Sequence, residues 1–272
     1  MRFTKWLLIP LLALFLAACG DSDEPDPTPA ANAPYAGKIT VFAAASLTDA
    51  FNEIATAFKE KNPEASVEFN FGGSPALRTQ LEQGARADVY ASADQNNMQQ
   101  AVQNGVVASV DEVFVRNSLV VITPKTNPGK IAALVDLKKG GLKIVLAAPE
   151  VPVGNYSRQS LMLMEKDAAF GTGFSDAVLK NVVSNESNVK QVVAKVQLGE
   201  ADAGIVYSTD VTPSVANELT KIDIPTQFNV IAEYPIALTK DAGNARTAQA
   251  FIDFVLAPDG QAVLKKYGFQ TL

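Results

Sequence analysis

Apolar positions change period at Ser46. Before it, Ile39, Val41 and Phe42 with Ala43, Ala44 and Ala45 read as a buried strand; after it, Leu47, Phe51, Ile54, Ala55 and Phe58 recur on one helical face. Ser46 is the expected N-cap. A strand running into a capped helix brings free N–H groups and the positive end of a helix dipole together, which suits an anion. The pattern then repeats. An alternating strand at 66–71 (SVEFNF) meets Gly72, Gly73 and Ser74, followed by a helix with Leu77 and Leu81, so that Ser74 is the expected N-cap and Pro75 takes the first helical position. A strand at 87–93 leads to a helix opened by Asp94. The run 117–123 (NSLVVIT) reads as one buried strand, followed by a helix over 131–137 and a strand over 143–147. A turn at Pro152, Val153 and Gly154 feeds a helix expected near Asn155. Asn188 caps a helix whose face is Val189, Val192, Val193 and Val196, and a strand at 203–207 ends on Tyr207. A last strand at 231–238 precedes helices carrying Phe251 and, at the tail, Leu264. Strand and helix alternate throughout, which predicts α/β architecture with parallel sheets flanked by helices.

The first 18 residues carry Arg2 and Lys5, then a short apolar core ending in small residues, the pattern of a signal peptide. Leu16, Ala17, Ala18 and Cys19 resemble the lipobox of bacterial lipoproteins, which makes Cys19 the expected lipidation site. It is the one cysteine of the chain, so no intramolecular disulfide forms. Residues 19–37 are rich in Asp, Pro and Ala without an apolar period and read as a flexible tether. The formal net charge is −6, and Asp21, Asp23, Glu24 and Asp26 of the tether contribute four negative charges, leaving the globular part only mildly acidic. No basic stripe points to nucleic acid, and only the anchor points to a membrane.

The chain contains no histidine, which excludes imidazole acid-base chemistry, His-based triads and His zinc sites. Ser74 does not sit in a nucleophile elbow, because Ala76 stands where G-x-S-x-G needs glycine, and the lysine and closing glycine of a P-loop are missing. Asp88 and Asp94 are read as a loop aspartate and an N-cap rather than paired catalytic carboxylates.

Segments spread over 38–272 resemble the molybdate-binding proteins of bacterial ABC import systems: ITVFAAASLTDAF, FNFGGSPALRTQLEQGARADVYASAD, NSLVVI, PEVPVGNY, GEADAGIVYSTD, EYPIAL and KKYGF. The resemblance implies a type II periplasmic binding protein of two lobes, each a mixed, mostly parallel sheet flanked by helices. Lobe 1 would comprise 38–118 with 234–272 and lobe 2 residues 119–233, hinged at 117–120 and 233–236. It implies one tetrahedral oxyanion, molybdate and also tungstate, held by the hydroxyls and N–H groups of Ser46 and Ser74, the N–H groups of Val153 and Val189, and the hydroxyl of Tyr207. Molybdenum would enter only as that oxyanion, with no other metal and no cofactor. The partners implied are an ABC permease and, through Cys19, the membrane; the protein would be an extracytoplasmic monomer and not an enzyme. Val153 stands where the family commonly has alanine, which keeps the backbone donor but crowds the anion, and Pro75 removes an amide found in many relatives. Physically, donors without a counter-charge satisfy a bare dianion, whereas the O–H of hydrogen phosphate would lack an acceptor at a cost of order 1–3 kcal/mol. Lys190, next to Val189, is expected to point away from the anion. The competing readings are a binding protein for sulfate or another oxyanion, an extracytoplasmic hydrolase using Ser74 or the Asp88 and Asp94 carboxylates, and a structural lipoprotein.

Overall fold

Two sheets collect the short apolar runs. The computed structural model describes residues 35–108 and 112–271; the leader, Cys19 and nearly all of the tether lie outside the described residues. In chain order the strands are β1 (Gly37–Ala44), β2 (Ala65–Gly72), β3 (Val89–Ala91), β4 (Glu112–Asn117), β5 (Leu119–Pro124), β6 (Ile144–Ala147), β7 (Val182–Glu186), β8 (Ala203–Tyr207), β9 (Leu219–Asp223), β10 (Ala232–Leu238) and β11 (Gln270–Thr271). The helices are α1 (Thr48–Lys61), α2 (Ser74–Glu82), α3 (Gln95–Gln103), α4 (Pro152–Glu165), α5 (Phe174–Lys180), α6 (Val189–Gln197), α7 (Ala245–Leu256) and α8 (Pro258–Lys266). One sheet has the order β11-β4-β10-β3-β1-β2 and the other β7-β6-β8-β5-β9. The fold is two-lobed α/β, with one sheet to each lobe. No described helix is long and apolar enough to cross a membrane.

Within each lobe parallel and antiparallel pairing coexist, and parallel pairing does not dominate as expected. β1 runs parallel to β2 and β3, and β6 to β7 and β8. β10 runs against β3 and β4, β11 against β4, and β5 against β8 and β9. β5 and β10 are the strands by which the chain enters the second sheet and returns to the first, and each runs against its neighbours. The expected strand over 117–123 is β5, which starts at Leu119 in the second sheet; β4, which ends at Asn117 in the first sheet, is an element the sequence pattern did not suggest. The polar run Arg116, Asn117 and Ser118 separates the apolar residues of the two strands at the point where the chain changes sheet.

Elements without an apolar signature escaped the sequence reading. β7 and β9 lie at the two edges of their sheet and are largely solvent-facing. The expected helix over 131–137 is a 3-10 stretch, Leu134–Lys138, in which the Asp136 carboxylate accepts the N–H groups of Ala132 and Ala133. Pro235 sits inside β10, and the ladder with β4 slips there, between Tyr234 and Pro235, as expected for a residue with no N–H to donate.

α1 follows its predicted face. Ala50, Phe51, Ile54 and Phe58 are buried, Asp49 lies in the first turn, and Lys59 and Lys61 in the last, each charge complementing the helix dipole. Phe51 meets Phe69 of β2, Phe114 of β4 and Phe251 of α7 with ring centroids 6.0, 5.8 and 6.0 Å away. Four elements thus share one aromatic side chain. Phe51→Ala should lower unfolding free energy by about 3–5 kcal/mol, read as a lower urea midpoint at unchanged slope; a loss under 1 kcal/mol would mean that this cluster does not tie the lobe together.

Candidate functional site

A small cavity lies where the two lobes meet. Residues 44–46, 72–74 and Ala93 wall it from the first lobe, and residues 151–153, Asn188, Val189 and Tyr207 from the second. It therefore gathers Ser46, Ser74, Val153, Val189 and Tyr207, all five residues singled out in the sequence. None of its lining residues is charged. The free space at its centre is about 10 Å³, about what one water needs and too little for an extended ligand.

Ser46 is not the N-cap that its position suggested. A 3-10 turn, Ala45–Leu47, intervenes, α1 begins only at Thr48, and Leu47 takes the cap position. The Ser46 side chain is instead engaged with Tyr234 of β10, Oγ to hydroxyl 2.9 Å. Ser74 is also displaced by one from its expected role, since Gly73 occupies the cap position, Ser74 opens α2 and Pro75 follows as the second helical residue. Ser74 Oγ accepts the N–H of Ala93 at 3.0 Å. Gly73 is there for space: a Cβ would come within 2.3 Å of the Ser187 carbonyl oxygen across the cleft.

In the second lobe α4 begins at Pro152, earlier than expected, with Val151 as its cap residue. Gly154 lets this first turn lie on the end of β6, where a Cβ would stand 2.1 Å from the Ala148 oxygen and 2.4 Å from that of Ala147. Asn188 caps α6 as expected, its side chain accepting the N–H of Gln191. Val153 and Val189 fall in the first turns of these helices, where an N–H has no partner within the helix. The valine side chain at 153 is buried in the cavity wall. Tyr207 is also buried, and its hydroxyl has no hydrogen-bond partner among the described residues. Burial holds that phenol well above its ordinary pKa, so it stays protonated and able to donate. The wall is thus uncharged, and in it the Tyr207 hydroxyl is a donor left without an acceptor among the described residues.

Other candidate groups are used elsewhere. Asp94 caps α3 through the N–H of Asn97, and Asp88 accepts from the N–H groups of Thr40 and Asn244 at 2.7 and 2.9 Å. Neither lines the cavity. Among the described residues no group of three or more His, Cys, Asp or Glu side chains could hold a metal ion.

The family described as bacterial extracellular solute-binding protein matches residues 39–270. The chain belongs to that family. This solute-binding protein is 39% identical over 263 residues to the molybdate-binding protein of Mycobacterium tuberculosis, covering 97% of this chain and 95% of that one. It is 36% identical over 278 residues to the molybdate-binding protein of Escherichia coli, covering 97% and 98%. Among solved structures, the periplasmic molybdate-binding protein of Azotobacter vinelandii shares the fold with a TM-score of 0.74 at 20% identity, over 86% of this chain and 99% of that one.

Tyr234, Gly73 and Asp210 escaped the sequence reading of the site. Tyr234 lies in an apolar strand and Gly73 in a generic turn, so nothing local marked either. Asp210 is buried behind Tyr207, whose N–H it accepts at 3.2 Å. Lys190 points away from the cavity as expected, its Nζ 2.8 Å from Asp49 on α1 and 3.6 Å from Asp210, so that it bridges the lobes. Burial pushes the Asp210 carboxyl up to about 6, against the opposing pull of Lys190 and the Tyr207 N–H. A folded-state pKa above the unfolded value means that ionised Asp210 costs stability above pH 6, a cost relieved as pH falls from about 6 towards 4. Relative to Asp210→Asn, the natural protein should gain about 2 kcal/mol between pH 7 and 4, read by urea unfolding of both proteins at the two values. A pH-independent difference would show that the Lys190 pair holds Asp210 at an ordinary value.

Proposed function

We propose that this protein captures molybdate, and tungstate with it, between its lobes outside the cytoplasm and delivers the anion to an ABC permease. The observation that carries the reading is the orphaned, buried Tyr207 hydroxyl in a cavity whose wall holds neutral donors and no charge. A dianion whose oxygens only accept satisfies those donors; a cation or a ligand rich in N–H groups would leave them unmet. The relatives named for molybdate, in two organisms, support the choice among oxyanions. Ser46, Ser74, Val153, Val189 and Tyr207 form the proposed contact set, through hydroxyls and backbone N–H groups. Lobe 1 comprises 38–118 with 234–272 and lobe 2 residues 119–233, turning about 117–120 and 233–236. The protein acts as a monomeric binder without catalysis: the carboxylates a hydrolase would need are already committed to backbone N–H groups.

Ser46→Ala and Ser74→Ala should each weaken molybdate binding by roughly 1–3 kcal/mol, because a charge-assisted bond is lost in a dry site. Calorimetric titration of the chain from residue 37 onward, with molybdate, tungstate, sulfate and phosphate, reads this directly. Unchanged affinity in both folded variants would remove these serines from the site, and tighter sulfate than molybdate binding would replace the ligand.

Cys19 in its Leu-Ala-Ala-Cys context supports a lipid anchor reached through the 19–37 tether. Mass spectrometry of the mature protein should find Cys19 at the N-terminus carrying diacylglycerol. Cys19→Ser should leave the membrane fraction, since acyl chains supply the affinity; an unmodified Cys19 thiol would refute the anchor.

A further inference from the structure

We propose that Tyr234 and Asn117 are positioning residues that set the polarity of the Ser46 hydroxyl, so that its single proton faces the ligand and its oxygen is already occupied from behind. The inference rests on the reading of Ser46 as an anion contact and extends it to selectivity.

The backbone N–H of Ser118, between β4 and β5, can only donate, and it donates to Asn117 Oδ1 at 3.0 Å; the Ser208 hydroxyl donates to the same oxygen at 3.2 Å. These two bonds fix the orientation of the Asn117 amide. Its Nδ2 must then face the other way, and it donates to Thr209 Oγ1 at 2.8 Å and, at the long distance of 3.5 Å, to the Tyr234 hydroxyl oxygen. An amide NH2 has no lone pair to offer, so Tyr234 cannot donate to it. Of the groups within hydrogen-bond distance of the Tyr234 hydroxyl, Ser46 Oγ, 2.9 Å away, is the one that can accept its proton.

A hydroxyl owns one proton. Were the direction reversed, Ser46 would give that proton to Tyr234 and meet the ligand as an acceptor only. With Tyr234 donating, the Ser46 proton is free for the cavity. Ser74 reaches the same state by a shorter route, because the Ala93 N–H that it accepts is itself a fixed donor. Both serines thus meet the ligand as donors, and the Ser46 half of that arrangement depends on two side chains at the strands joining the lobes. The consequence is selectivity: molybdate and sulfate present only acceptors, whereas phosphate near neutral pH carries a proton that needs an acceptor in the wall.

Tyr234→Phe tests this, because the ring is retained against Phe114, Tyr207 and Phe269. Affinities for molybdate, sulfate and inorganic phosphate are measured at pH 7 in the natural protein, Tyr234→Phe, Ser46→Ala and the double variant. Tyr234→Phe should weaken molybdate about three- to tenfold and narrow the molybdate-to-phosphate ratio by at least as much, since a released Ser46 hydroxyl turns to accept the phosphate proton. In the Ser46→Ala background the same substitution should change neither quantity. Equal effects in both backgrounds, or an unaltered ratio, would overturn the relay and leave Ser46 as a contact. An unchanged molybdate affinity in Ser46→Ala would remove the contact and the relay together.

Discussion

Leaving a buried donor unpaired costs of order 1–3 kcal/mol, and this fold concentrates several such donors in one place. The starts of α2, α4 and α6, the turn before α1 and the end of β8 all reach the same cavity. In most proteins such groups are satisfied locally, by a capping side chain or by solvent. Here the Tyr207 hydroxyl has no partner among the described residues. The debt is offset by the rest of the molecule, in the aromatic cluster around Phe51 and in the two sheets that hold these segments rigid. A solute that enters supplies the missing acceptors, and its binding energy is in part the relief of that cost.

Closeness of approach is the second requirement, and glycine meets it. Gly73 lets the first lobe come up to the Ser187 carbonyl of the second, and Gly154 lets α4 settle on the end of β6. Lys190 spans the same gap with an ion pair to Asp49 outside the cavity. Charge is therefore present near the site but not in its wall. That separation matters physically: a fixed cation would attract any anion, whereas neutral donors reward only a ligand whose oxygens have lone pairs in the right places.

The relation between the two halves of the protein follows from where the chain changes sheet. Asn117 ends β4 and hydrogen-bonds Ser118, Ser208, Thr209 and Tyr234, so the residue at the crossing is also tied to the cavity wall through Ser46. In the proposed function this places the binding contact and the hinge in one hydrogen-bond network.

The sequence by itself determined the elements that bury apolar faces: α1 through Phe51, Ile54 and Phe58, α6 through its valines, and the strands around Val41 and Ile205, because periodicity reports burial directly. The resemblance to the molybdate-binding family, carried by motifs at strand ends and helix starts, implied five of the residues that wall the cavity, and the sequence places no lysine or arginine within two residues of Ser46, Ser74 or Val153. It did not determine the edge strands β7 and β9, whose exposure weakens the apolar signal, or β4, which the polar run Arg116, Asn117 and Ser118 separates from β5 and which joins the other sheet. Only the tertiary structure decided what the serines do. Local pattern assigned Ser46 and Ser74 to helix caps, a role set by neighbours in the chain. Folding instead brought up Tyr234, 188 residues away, and the Ala93 N–H, 19 residues away, as their partners. A hydroxyl bonds to whatever donor or acceptor arrives first in space, and sequence neighbours carry no information about which that will be.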